Sequence, residues 1–242
     1  VSCDLDIKKL FERKTGELSS GQKNRVALAK SLINKPKILL LDEPLFNLYY
    51  KLREGLREEF KKLFNVSDES NSILIYASTD PLEAMQLNGD IIVIDEGKIL
   101  QTGTAKDVFE NPATAKVAEI TNDPAMNINK CLIQDNSLIM NDSVQIQIPD
   151  ELKTVPNGKY LVGIRATDIY LDDQGFAFDV EISEISGSET FLHLRNNNLK
   201  CVATIEEVKT YNTNEVVKIN FDKSKIYLFE ESGDLRHSPY QQ

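Results

Sequence analysis

Residues 17–44 read ELSSGQKNRVALAKSLINKPKILLLDEP, and this stretch decides how the rest of the chain is understood. Ser19 stands three residues before Gln22, the spacing of a capping box in which each side chain satisfies the other's backbone N–H. The helix that follows, expected over 23–34, carries Val26, Ala29, Leu32 and Ile33 on one face. Its start offers free N–H groups and the positive end of the helix dipole, and Gly21 lets an anion approach without a Cβ in the way. Lys35 and Pro36 end it, because a residue before proline is pushed out of the helical region. Residues 38–41 then read as a buried strand that delivers Asp42 and Glu43 at its C-terminal end, where open α/β sheets bind ligands. One carboxylate there can hold Mg²⁺, usually through water, while its neighbour orients or deprotonates an attacking water. Taken singly, each feature has a plain alternative: an ordinary helix cap, and a strand running into an acidic turn.

Composition narrows the field. A length of 242 residues suits one large or two modest domains. The net charge of -10 opposes a nucleic-acid or anionic-membrane partner, because phosphates would be repelled. No apolar run approaches the roughly 20 residues needed to cross a bilayer. The opening VSCDLDIKKL is acidic where a signal peptide would be basic and then apolar. Cys3, Cys131 and Cys201 are far apart and odd in number, so free thiols of a soluble, cytosolic chain are expected.

Up to about residue 120, helices alternate with short apolar strands, as in a parallel α/β sheet. After 38–41 come an amphipathic helix over 51–64, a polar loop over 65–71 and a strand over 73–76. A short helix over 81–87, a strand over 91–94 and a hairpin turn at 95–98 leading into 99–101 follow, then helical stretches over 105–110 and 112–120. The texture changes near residue 122. Beyond it, short alternating segments (130–134, 137–140, 144–148, 160–165, 176–185, 190–194, 200–204 and 215–219) are spaced by Asn-rich and Gly-bearing turns, which suggests a small β-barrel or sandwich. Two domains are therefore expected, 1–121 and 122–242.

LSSGQ, a basic amphipathic helix and ILLLDEP at this spacing resemble the signature and Walker B motifs of ATP-binding-cassette ATPases. The resemblance continues through LFNL (45–48), KLRE (51–54), DPLEAM (80–85) and DEGKILQTGT (95–104). In the second domain PAMN (124–127), GIRATDI (163–169), GSETFLH (187–193) and FDKSKIYLFEESG (221–233) look like the TOBE accessory domain, built on OB-type barrels, of importer ATPases for sugars and glycerol phosphate. The fold so implied is an α/β P-loop NTPase core (RecA-like) with a helical signature region, incomplete here, followed by an all-β OB-type TOBE domain.

The resemblance also implies roles. Two nucleotide-binding subunits would pair head to tail, with Ser19, Ser20, Gly21 and Gln22 facing the ATP held by the opposite subunit. Asp42 would bind the Mg²⁺, through water, and Glu43 would act as general base. Thr79 takes the place of the family's switch histidine, and Asn47, Leu48 and Tyr49 form the D-loop, with Tyr49 where the family has Asp. Ser20 replaces a Gly of the signature. A Thr lacks the charge and reach of an imidazole, so phosphate sensing and water positioning are expected to suffer. The implied setting is the inner face of the cell membrane, on transmembrane permease subunits and, through them, a solute-binding protein. No GxxxxGK[ST] phosphate loop occurs in the sequence. A fragment, or one part completed by a second polypeptide, is expected, with weak MgATP binding on its own. The competing class is a catalytically degenerate regulatory partner, which Ser20, Tyr49 and Thr79 favour and Glu43 opposes. A barrel that binds an oligonucleotide or small oxyanion is disfavoured by the acidic balance. Arg165 and His193 read as satisfied structural residues, and Lys8, Lys9, Arg13 and Lys14 as a solvated helix face.

Overall fold

The computed structural model describes residues 7–10, 12–33, 36–46, 55, 73–87 and 89–241. The expected 51–64 helix apart from Gly55, the 65–71 loop, Cys3 and the D-loop positions Asn47, Leu48 and Tyr49 lie outside the described residues. The chain divides into two compact units, Val1–Gly89 and Asp90–Gln242, so the change of texture near residue 122 falls inside the second unit.

In the first unit, two 3₁₀ turns (Lys8–Leu10 and Thr15–Glu17) lead into helix α1, Ser20–Ile33. The basic residues 8, 9, 13 and 14 are exposed, as a solvated surface would be, but Lys8 and Lys9 lie on the first turn and Arg13 and Lys14 between the two, not on an α-helix. Strands β1 (Ile38–Asp42) and β2 (Ile73–Ala77) pair in parallel, Asp42 opposite Ala77, and helix α2 (Pro81–Leu87) follows. Ile7, Leu10, Leu18, Leu28, Ala29, Leu39 and Leu45 form the core, with Val26, Leu41, Leu74 and Tyr76 packed against it.

Two expectations are corrected here. Ile33 is 63% exposed, and Leu28 at 6% is buried instead. A 14-residue helix is about 21 Å long, more than the roughly 17 Å of a five-residue strand, so its last turn outruns the sheet beneath it. The strand at 38–41 is buried on one face only: Leu39 is inside, while Ile38 (58%) and Leu40 (69%) are exposed. Among the described residues one face of the β1–β2 pair is covered and the other is not, whereas parallel strands with such continuous apolar sequences are suited to burial on both faces.

The second unit begins with a hairpin of β3 (Asp90–Asp95) and β4 (Lys98–Thr104), turned by Glu96 and Gly97 at φ 47° and 74°. Positive φ at both central residues is what a two-residue hairpin loop requires, and Gly97 supplies one of them without strain. Among the described strands β3 pairs with β4 alone. Helices α3 (Ala105–Glu110) and α4 (Ala115–Ile120) are capped by the Thr104 and Thr114 hydroxyls, which accept from Asp107 N and Val117 N.

Ten further strands follow: β5 (Asn127–Gln134), β6 (Ser137–Met140), β7 (Val144–Gln147), β8 (Gly158–Ile164), β9 (Ile169–Ser186), β10 (Glu189–Asn196), β11 (Leu199–Ile205), β12 (Val216–Phe221), β13 (Tyr227–Phe229) and β14 (Leu235–His237). They form a four-stranded sheet, β11-β10-β9-β12, and a six-stranded sheet, β14-β13-β8-β5-β6-β7. One core lies between them, with Phe178, Val180, Leu192 and Leu194 from the first and Ile133, Leu138, Met140 and Val162 from the second. Left-handed Asp135 and Asn136, then Asn141 and Asp142, make the tight β5–β6 and β6–β7 turns. Strand β9 begins earlier than its alternation suggests, because its pairing with β12 jumps from Ala177 to Leu171. Gly175 lies in that excursion, where a Cβ would collide with the Ile219 carbonyl.

Candidate functional site

The start of α1 is built as its sequence dictates. Gln22 N–H donates to Ser19 Oγ at 3.3 Å, and Ser19 N–H donates to Gln22 Oε1 at 3.0 Å, a reciprocal capping box. Lys23 N–H closes on the Ser19 carbonyl at 2.9 Å. With those donors used, Gly21, half-buried on the first turn, keeps its N–H at the positive end of the dipole.

The carboxylates stand at the C-terminal end of the parallel pair. Asp42 is exposed and carries no ion pair or hydrogen bond on its carboxylate among the described residues. Glu43 leaves the strand in the left-handed region at φ 45°, a conformation a non-glycine residue holds only when its surroundings impose it. Three contacts do so. Its N–H donates to the Ala77 carbonyl at 3.0 Å, its carbonyl accepts from Phe46 N–H at 3.2 Å, and Leu45 is wholly buried beneath the turn. Glu43 Oε1 then accepts the Thr79 N–H at 2.8 Å, leaving Oε2 without a partner among the described residues.

Thr79 follows β2 in a turn that runs into α2. Asp80 caps that helix, its Oδ1 accepting from Leu82 N at 2.9 Å and Glu83 N at 3.4 Å, and Pro81 fills the first helical position, where no N–H is needed. The structure thus brings Asp42, Glu43 and Thr79 to one edge. Ser19 and Gln22 form a separate feature: among the described residues no hydrogen bond or ion pair joins them to that edge. Position 79 contributes its main chain, so the contact with Glu43 does not depend on which side chain stands there.

The chemistry of these oxygens fits a hydrated divalent cation: the exposed Asp42 carboxylate is a hard oxygen ligand, and Glu43 Oε2 has no partner among the described residues. No cluster of three or more metal-ligating side chains occurs among the described residues, so the protein offers a cation at most these carboxylates. Sequence reasoning missed Glu83, which is 3% exposed behind the Thr79 turn.

Arg165 and His193 have structural partners. Arg165 is buried, donating to Asn122 Oδ1 (3.0 Å), the Phe109 carbonyl (2.6 Å) and Tyr240 Oη (3.3 Å), with its guanidinium 3.8 Å from the Phe109 ring centre. His193 Nε2 lies 3.1 Å from Glu184 Oε2. Cys131 and Cys201 are free thiols, and burial pushes both up to about 12, which keeps them protonated and unreactive.

The sequence of the α1–β1 segment, and of nearly the whole chain, resembles known proteins. The ABC transporter family model matches residues 3–46, the segment holding the capped helix and the acidic strand end. An ABC transporter ATP-binding protein of Escherichia coli O6:H1, YcjV, is 31% identical over 240 residues, covering 96% of this chain and 66% of the relative. The chain belongs to the ABC-transporter ATP-binding family. Other ABC relatives include the sn-glycerol-3-phosphate import ATP-binding protein UgpC of Psychromonas ingrahamii, 30% identical with 93% of this chain and 62% of the relative covered. The trehalose/maltose import ATP-binding protein MalK of Thermococcus litoralis is 31% identical, with 94% and 64% covered. The chain spans a little under two thirds of the length of these ABC relatives. No helix among the described residues is long and apolar enough to cross a membrane.

Proposed function

We propose that the complete protein is the ATP-hydrolysing subunit of a solute importer and that Glu43 is its general base. The observation that carries this reading is the Glu43 carboxylate, anchored through Oε1 to the Thr79 N–H, with Oε2 and the exposed Asp42 carboxylate both without a partner among the described residues. MgATP supplies the phosphoryl group and a cation that neutralises its developing charge. Asp42 holds the cation through water. Glu43 Oε2 accepts a proton from the attacking water, while the Oε1 anchor keeps the carboxylate from swinging away. Ser19, Ser20, Gly21 and Gln22 present the α1 start to the ATP of a second nucleotide-binding subunit. Residues 1–121 belong to the nucleotide-binding part and 122–242 to a TOBE domain of OB type, whose two sheets around one core support that assignment. The partners are transmembrane permease subunits and, indirectly, a solute-binding protein; the place is the cytoplasmic face of the membrane. The import names of the UgpC and MalK relatives support the direction of transport.

The second reading, a degenerate regulatory partner, is favoured by Thr79 and Tyr49. Against it stands the anchor itself, which uses an amide that any residue at 79 provides. Steady-state MgATP hydrolysis by the complete protein decides. Glu43→Gln is expected to lower turnover by about 10²–10⁴-fold. Turnover indifferent to that change ends the enzyme reading.

A further inference from the structure

Helix α2 is built inside out. Leu82 is 48% exposed, while its neighbour Glu83 is 3% exposed, the reverse of what an amphipathic surface helix does with a leucine and a glutamate. A buried carboxylate is costly unless hydrogen bonds replace its water. Here Glu83 Oε2 accepts from Tyr76 Oη and from Ser78 Oγ, each at 2.8 Å. Because the Ser78 hydroxyl gives its proton to Glu83, its oxygen is free to accept, and it takes the Asp80 N–H at 3.1 Å. The residues on both sides of Thr79 are therefore tied to one buried carboxylate, directly at Ser78 and through that hydroxyl at Asp80. The Thr79 N–H between them leads out of the turn, to Glu43 Oε1 at 2.8 Å. From the other side, the Ala77 carbonyl fixes the Glu43 backbone.

We propose that Glu83 is a positioning residue for the hydrolytic base: by holding the Tyr76 and Ser78 hydroxyls, its carboxylate sets the turn whose Thr79 amide fixes Glu43. The proposal rests on Glu43 having the role assigned above. Glu83 acts through the turn, by way of the Tyr76 and Ser78 hydroxyls. An apolar residue at 83 leaves two hydroxyls without their acceptor and frees the turn to move, and a base displaced by an ångström loses much of its rate. Glutamine keeps an acceptor oxygen at the same place, so it serves as the conservative control.

Two measurements test this. In the isotope-labelled chain, the Thr79 amide proton resonance reports the carboxylate contact, with Glu43→Ala as the reference for its loss. Glu83→Leu is expected to move that resonance towards the Glu43→Ala position while the β1 and β2 amides stay in place, and Glu83→Gln to return it. Should Glu83→Leu lose the β1–β2 amides altogether, Ser78→Ala breaks the same link from the turn and is expected to give the same shift. A Thr79 resonance unmoved in the folded variant overturns the proposal whatever the turnover. In the complete protein, Glu83→Leu is expected to lower kcat by about tenfold or more with little change in the KM for MgATP, and Glu83→Gln to restore it. Wild-type turnover with an unchanged Glu83→Leu kcat overturns the positioning role; no wild-type turnover overturns the enzyme reading, and the amide result then stands alone.

Discussion

Leu138, Val180 and Leu192 sit at 0% exposure between the two antiparallel sheets of the 90–242 unit, while Ile38, Leu40, Ile73 and Ile75 of the 1–89 unit stand at 58%, 69%, 58% and 55%. Both sets are aliphatic residues on strands. In the second unit each sheet covers the other, and inward valine and isoleucine alternate with outward glutamines along β7. In the first, ILLL and ILIY are apolar on both faces, but α1 and the N-terminal turns cover only one. The sequence of β1 and β2 thus calls for a second layer that the described residues do not provide. The proposed chemistry sits on this half-covered unit, where the groups around Glu43 depend on hydrogen bonds from the strand ends more than on packing.

The sharpest way to break the comparison is to delete the same side chain from each. Leu192→Ala is expected to cost about 2–5 kcal/mol, because it opens a cavity between two sheets that cannot close on it. Leu40→Ala should stay within about 0.5 kcal/mol in the chain by itself, since that side chain is already largely in water. Chemical denaturation of both variants gives the two values. A large loss for Leu40→Ala would show that the outer face of β1 is covered after all.

Much of this was legible, and for identifiable reasons. The capping box at Ser19 and Gln22, the hairpin at Glu96 and Gly97, and the α2 and α3 spans are local devices, in which nearby residues determine the geometry. The acidic strand end was legible as structure because four apolar residues followed by Asp-Glu read as a strand running into an acidic turn. What escaped depends on distant partners. Strand β13 is three residues long and wholly buried, too short to show alternation. The early start of β9 is hidden by the five-residue excursion around Gly175, which exists only because Ile219 faces it. Glu83 looked like a solvent-facing residue of a short helix. Nothing local reveals that Tyr76 and Ser78 turn their hydroxyls onto it.

A smaller effect distinguishes how the first unit holds its helix. Ser19→Ala removes the oxygen that accepts Gln22 N–H and leaves Gln22 reaching back alone. The expected cost is about 1 kcal/mol, read as faster hydrogen exchange in the first turn of α1 with the rest of the helix unchanged. Loss of the whole helix instead would mean that core contacts through Val26, Leu28 and Ala29 contribute less than their burial suggests.

The smallest expected effect concerns the second unit and pH. His237, on β14 opposite Leu228, is half-buried, and loss of hydration holds its pKa below the usual value of about 6.5, with the charge of Glu151 opposing that only in part. The unfolded chain therefore binds a proton at this site more readily than the folded one. Stability from the neutral imidazole is fully present above the unfolded value and is lost as pH falls through the lower, folded one. Replacing His237 by Gln removes the titrating group, so the stability difference between wild type and His237→Gln should shift against wild type on acidification below about 6.5. The carboxylates that also titrate on acidification are present in both proteins, and the difference isolates the imidazole. If the difference is flat across that range, the second unit lets water reach β14, and its closure is less complete than the core between its sheets implies.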